Sequence, residues 1–317
     1  MLGRTIVAAL ILLGAATAAQ AADKLRVGKT IGVLWSLTPV DVGLEEGIFA
    51  KYGLDVEITT LTGDPKLMAA FVADSLDVGL GGGTGMVFAL KGAPVLGIAA
   101  LAGAPRNFSI IVGADSPIRS PKELKGKALG VASTGALTEW FDKSVAVAEG
   151  WGKDGIRSIT TGGFEATVAL LKTHQIDGFI GATELGYQLE ERGQGRILVG
   201  METYIPRFET QILTAREPLI RSNPDLVARF VKGIFASVAF MKANREKTIA
   251  ITSRVLNMTP TVVAKTYDYE IAMLSDDGVF DPVSVKVLKD SYVDMGLLTE
   301  QPKDETLFTT QFVPAKL

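Results

Sequence analysis

From residue 25 onward the chain alternates short apolar runs with longer stretches whose apolar residues recur every three or four positions, the pattern of strands interleaved with helices. Residues 25–28 predict a strand and 30–39 the loop that follows. Residues 40–52 predict a helix carrying Val42, Leu44, Ile48 and Phe49 on one side, with Gly53 as its left-handed stop. Residues 54–58 alternate as a strand does. Asp64 and Pro65 open the next helix as N-cap and first-turn proline, and residues 77–80 form the strand after it. Residues 81–85 turn into a helix at 86–91, and 95–102 form another strand. After residues 108–112 the pattern restarts with a strand at 128–132, a helix at 137–150 and a strand near 156–160. The last third is helical, with starts at Asn223-Pro224, Thr259-Pro260 and Pro282. In the first of these helices Leu226, Val227, Phe230, Val231, Ile234 and Val238 share a face. The alternation predicts an α/β protein of mostly parallel sheets flanked by helices.

Within this pattern one unit occurs twice. Residues 67–81 (LMAAFVADSLDVGLG) and 167–181 (TVALLKTHQIDGFIG) place a helix-like run, an Asp and a strand-like run in register, pairing Asp77 with Asp177 and Gly81 with Gly181. Two such units with a gap between them suit closure on a ligand, and residues 82–84 and 182–184 are expected to oppose each other across it.

The 317 residues suffice for two lobes with separate cores. Arg4, an apolar run at 6–13 and Ala19-Gln20-Ala21 predict a secretory signal peptide over 1–21, too short in its apolar part to span a bilayer. Removing it takes away Arg4 and no acid, so the net charge moves from −3 to −4. No basic excess invites nucleic acid or anionic lipid. Cysteine is absent, which excludes disulfides, thiolate metal sites, a cysteine nucleophile and a lipid-modified N-terminal Cys. His174 is the sole histidine, so a histidine triad or a multi-histidine metal site is not expected, and neither is a cofactor. The chain is expected to be periplasmic, monomeric and free of a membrane anchor.

Residues 43–57 (GLEEGIFAKYGLDVE) resemble the signature of ABC-transporter substrate-binding proteins of the nitrate/sulfonate/taurine (NitT/TauT) type. Residues 120–131 (SPKELKGKALGV) resemble the segment that opens the second lobe across the type II periplasmic-binding-protein superfamily. The resemblance spans roughly 25–214. It implies a two-lobed fold with two chain crossings as a hinge, near Val112 and Leu213. Residues 22–112 with 214–317 would make lobe 1, and 113–213 lobe 2. It also implies a small-molecule ligand delivered to an ABC permease with its ATPase, by binding and without catalysis. The pyrimidine-synthesising enzymes of the same fold use histidine and cysteine chemistry, for which this chain has little supply.

In such a fold ligand choice lies in loops at the carboxyl ends of the strands. Trp35, Ser36 and Thr38 offer an indole and two hydroxyls, with a plain core role for Trp35 equally open. Thr62 lies beside Asp64. Gly82, Gly83 and Thr84 admit a ligand to the backbone before a helix N-terminus. Ser133, Thr134 and Gly135, ahead of Thr138, mirror them. Two facing helix ends favour an anion. The glycines lack the spacing of a nucleotide fingerprint. Arg106 and Asn107 add a fork for carboxylate or sulfonate, or Arg106 is a surface residue. Thr183, Glu184 and Glu209, if they line the cleft, favour an amine or a hydrogen-bonding heterocycle. An organic anion is the leading expectation and a neutral or cationic heteroaromatic, such as a thiamine-precursor pyrimidine, the alternative. An exported enzyme and a ligand sensor are the remaining classes.

Overall fold

The computed structural model describes residues 22–317, so the signal peptide lies outside the described residues. The first sheet begins with β1 (Asp23–Lys29), β2 (Leu54–Thr60), β3 (Val78–Gly82) and β4 (Val95–Ala102). The second takes β5 (Phe108–Gly113), β6 (Ala128–Val131), β7 (Arg157–Thr160), β8 (Gly178–Ala182) and β9 (Gly195–Gly200), after which β10 (Gln211–Arg216) returns to the first. The strand orders, β2-β1-β3-β10-β4 and β7-β6-β8-β5-β9, correspond position by position. In each sheet one strand, β10 or β5, runs antiparallel to both its neighbours. The remaining pairings are parallel. Residues 108–112, expected in the first lobe, therefore hydrogen-bond in the second sheet as part of β5. The chain crosses at 103–107 and again ahead of Gln211, a few residues earlier than expected at each passage.

The helices are α1 (Pro39–Glu45), α2 (Ile48–Lys51), α3 (Asp64–Val72), α4 (Leu137–Ala148), α5 (Phe164–Lys172) and α6 (Thr183–Glu191), followed by α7 (Glu217–Ser222), α8 (Pro224–Ala243), α9 (Arg245–Leu256), α10 (Pro260–Glu270) and α11 (Pro282–Asp294). The single helix expected over 40–52 is broken at Gly47, whose φ of 63° lies in the left-handed region and turns the chain between α1 and α2. The segment expected as a helix at 86–91 is a 3-10 helix beginning earlier, at Gly83, and running to Lys91. The C-terminal starts are as read. Asn223, Thr259 and Asp281 each accept a backbone N–H with their side chains at the heads of α8, α10 and α11. The apolar face of α8 is buried against the first sheet, where Phe230 stacks on Phe49 at 6.0 Å between ring centroids. Among the described residues no helix is long and apolar enough to cross a membrane.

The turn of the repeated unit keeps the same backbone bonds in both copies. Asp77 accepts from Arg26 N at 2.9 Å and Asp177 from Ala128 N at 2.8 Å. Asp74 and His174 both take φ 55° at the helix end, and each donates its N–H to the residue three before it, Phe71 or Leu171, at 3.1 Å. Gly63 and Gly163 precede the paired helices α3 and α5.

Candidate functional site

A cleft of about 440 Å³ opens between the two sheets. From the first lobe it is lined by Thr30, Ile31 and Leu34 after β1, by Gly63 to Pro65 at the head of α3, and by Gly82, Thr84, Val87, Phe88 and Lys91 after β3. The second lobe contributes Phe108 at the start of β5 and Ser133 to Leu137 between β6 and α4. Thr210 and Gln211 come from the returning crossing, Met295 and Leu297 from the turn after α11. These are the carboxyl ends of parallel strands, where open α/β sheets place their ligands. Beside the cleft a bridge joins the lobes: Asp294 of α11 accepts from Trp140 Nε1 at 3.4 Å and from Lys153 Nζ at 3.0 Å.

Among the sequence candidates, Gly82, Thr84, Ser133, Thr134 and Gly135 meet around this space. Others serve the frame. Trp35 is buried, its ring edge-on to Tyr267 and its Nε1 donating to Thr252. Thr38 donates to Trp35 O, and Ser36 accepts from the Asn107 amide, which also reaches Gln211. Thr138 accepts from Ala132 N. Arg106 lies over the Tyr269 ring and donates to Tyr269 O. Thr183 donates to Arg106 O, holding β8 to the first crossing. Gly83 is buried, its carbonyl accepting from Tyr292 Oη at 2.8 Å, and a Cβ there would overlap the Glu209 carbonyl oxygen. Thr62 is exposed on the loop before α3 and does not line the cleft.

The two glutamates expected to face a ligand are turned inward. Glu209 accepts from Asp281 N at 2.9 Å, and burial pushes its carboxyl up to about 8. Glu184 accepts from Trp35 N, and burial raises it to about 7. Its second oxygen is buried without a partner, as are both oxygens of Glu270 on α10 and one of Glu202. Burial, reinforced by Glu184 and Glu202, raises Glu270 well above the ordinary carboxylate range. Residues 82–84 and 182–184 therefore do not oppose each other. The first group meets the β6–α4 loop, and the second is locked against the seam between α6 and α10.

Asp64 is the residue whose role changes most. Gly63, not Asp64, occupies the N-cap position of α3, and the Asp64 carboxylate accepts from Gly82 N at 3.1 Å. A Cβ on Gly81, Gly82 or Gly85 would stand 2.8–3.0 Å from its carboxylate atoms. The glycine cluster makes room for this acid. Burial raises Asp64 to about 6, with the Gly82 N–H opposing the shift. Across the cleft Gly135 N donates to Glu139 at 2.6 Å, a bond that holds this carboxyl below its ordinary value. Both loop amides expected to receive an anion thus already face a carboxylate of the protein.

Phe88, Phe108, Gln211, Met295 and Leu297 carried no signal as cleft residues in the sequence. Their apolar or amide side chains read as ordinary framework, and Met295 and Leu297 lie about 160 residues or more beyond the loops they join. Asp64 was visible beside Thr62, and its 100-residue counterpart, Phe164, was the available clue that it is not required by the helix.

Two five-stranded sheets joined by two crossings, with a cleft at their facing edges, define the two-lobed fold of the type II periplasmic binding proteins. The chain belongs to the NMT1/THI5-like family, whose model matches residues 36–248, about two thirds of its length. A Brucella abortus protein named only as a candidate binding protein is 27% identical over 241 residues, covering 74% of this chain and 72% of its own. The aliphatic sulphonate binding protein SsuA of Escherichia coli superposes with a TM-score of 0.76 at 16% identity, over 93% of this chain and 94% of its own. The desulfurization enzyme DszB superposes with a TM-score of 0.65 at 14% identity, over 90% and 97%.

Proposed function

We propose that the chain is an exported solute-binding protein that closes its two lobes on a small organic molecule and passes it, as a monomer in the periplasm, to an ABC permease with its ATPase. The observation that carries this reading is the cleft itself, assembled from both sheets and the returning crossing and of small-molecule size. Contacts from β3, α3 and the β6–α4 loop are complete only when the lobes are together. A ligand therefore shifts the open–closed equilibrium by the difference of its affinity for the two states. Thermal-shift screening of sulfonates, carboxylates, nitrate, amines and pyrimidines should find a stabilising compound, and solution scattering with that compound should show compaction. A stabilising compound that produces no compaction would refute hinge closure.

The name of the E. coli structural neighbour, the Ser133 and Thr134 hydroxyls and Lys91 support an organic anion as one reading of the ligand. An enzyme is the competing class, supported by DszB on the same fold. Product formation by the purified protein would establish it. Against it, the cleft lining holds no histidine or cysteine, and Asp64 and Lys91 are its charged side chains.

A further inference from the structure

We propose that Asp64 sets ligand specificity and that the cleft takes an organic cation, a primary amine or amidinium on an apolar body, with its N–H groups against the Asp64 carboxylate. This deepens the solute-binding reading and rests on it. Asp64 is the acid of the cleft lining, and one of its oxygens is held by Gly82 N. The other receives no hydrogen bond from the described residues and is left for a donor from the ligand. The seat is built for the carboxylate, since side chains at Gly81, Gly82 and Gly85 would crowd it. The same position of the second unit carries Phe164, which packs edge-on against Phe179. The acid is thus a property of the cleft-facing unit and not of the repeat.

Charge complementarity points the same way. An anion entering between the loops meets the Asp64 carboxylate on one side, and on the other finds the Gly135 amide already donating to Glu139, which lies behind the lining paired with Lys143. Lys91, the cation of the lining, is exposed at the rim and lies 5.7 Å from the Phe88 ring centroid. The walls beyond the acid are Leu34, Val87, Phe88, Phe108, Leu137 and Met295, which fit an apolar or aromatic body. A cation delivered to Asp64 forms a charge-assisted hydrogen bond in a partly desolvated place, where such bonds are strongest.

Calorimetric titration with compounds that share a benzene body and differ in head group tests this. Benzamidine and benzylamine are expected to bind, benzoate and benzenesulfonate to bind at least roughly tenfold more weakly. Asp64→Asn, close in shape, is expected to lower benzamidine affinity by roughly tenfold or more. In the unaltered protein, benzamidine affinity should rise as pH goes from about 5 to about 7 and Asp64 ionises, burial holding its carboxyl near 6. The ionisable neighbours are Tyr292 of α11, bonded to Gly83 O, Glu209 behind Gly83, bonded to Asp281 N, and Lys91. The pH arm stands even if the substituted protein folds poorly. Tighter binding of benzoate or benzenesulfonate, abolished by Thr134→Trp but unchanged or improved by Asp64→Asn, overturns the cation assignment and leaves solute capture intact. No binding of any compound overturns both.

Discussion

Set side by side, residues 63–85 and 163–185 are one scaffold with two uses. Both begin at a glycine, run through a nine-residue helix, turn at a left-handed Asp74 or His174, and anchor an aspartate to the neighbouring parallel strand, β1 or β6. They part at Asp64 against Phe164, and again after the strand, where Gly82, Gly83 and Thr84 stand against Ala182, Thr183 and Glu184. In the first unit the changes open a cavity and place an acid in it. In the second they fill the space with Phe164 on Phe179 and send Glu184 into the seam with α10. The bonds that build the turn are common to both, while the atoms that would meet a ligand are confined to one.

Breaking the first unit at its tightest point should have the largest effect. Gly83→Ala forces a Cβ onto the Glu209 carbonyl and should cost about 3 kcal/mol in urea unfolding, whereas Thr183→Ala in the second unit should cost only about 1 kcal/mol for its bond to Arg106 O. A result in which the two substitutions cost the same would erase the distinction. Thr134→Trp fills the cleft from the facing loop and should weaken binding of the compound found by thermal shift roughly a hundredfold, with the unfolding midpoint retained. The shared turn offers a subtler comparison. Asp77, held by Arg26 and Arg216 and largely buried, should lose about 2 kcal/mol on change to Ala. Asp177, with 35% of its side chain exposed and Lys127 at 3.6 Å, should lose about 1 kcal/mol.

The smallest expected effect has the opposite sign. Glu270 faces Glu184 and Glu202, with Tyr187, Tyr269 and Arg106 around them. Its folded-state pKa lies above its ordinary 4.5, so the folded protein keeps a proton that the unfolded chain releases. Stability from this source is full below that ordinary value and is lost as pH rises through the folded value. Glu270→Gln should flatten that decline in unfolding midpoints measured across pH, and should stabilise the protein on the alkaline side. An unchanged profile would show that the seam does not hold the proton.

Much of the framework could be read from the sequence because periodicity and turn chemistry are local. The strand–helix alternation, the Asn223, Thr259 and Pro282 helix starts and the paired aspartate turns all depend on residues a few positions apart. The site was harder because its decisive contacts are distant. The Glu184 side chain looked free to face a ligand until Trp35, 149 residues away, was seen to donate to it. The glycines at 81–85 looked like a place for a ligand backbone contact, and only the position of Asp64 shows what they accommodate. The break at Gly47 was missed because the helical spacing of Val42, Leu44, Ile48 and Phe49 carries on past it, and the 3-10 helix from Gly83 because periodicity cannot register a change of helix type. Sheet membership of residues 108–113 turned on pairing partners at 178–182 and 195–200, which no local pattern encodes.

The crossings carry a consequence for the order in which the protein takes shape. All strands of the second sheet lie between residues 108 and 200, so that sheet can be completed from one continuous stretch of chain. The first sheet has β10 between β3 and β4, and the gap between those two strands stays open until residue 216 has emerged. During synthesis or refolding, the later lobe can close while the earlier one waits with two unpaired strand edges exposed. The half of the molecule that carries the cleft acid is thus the half that must finish last.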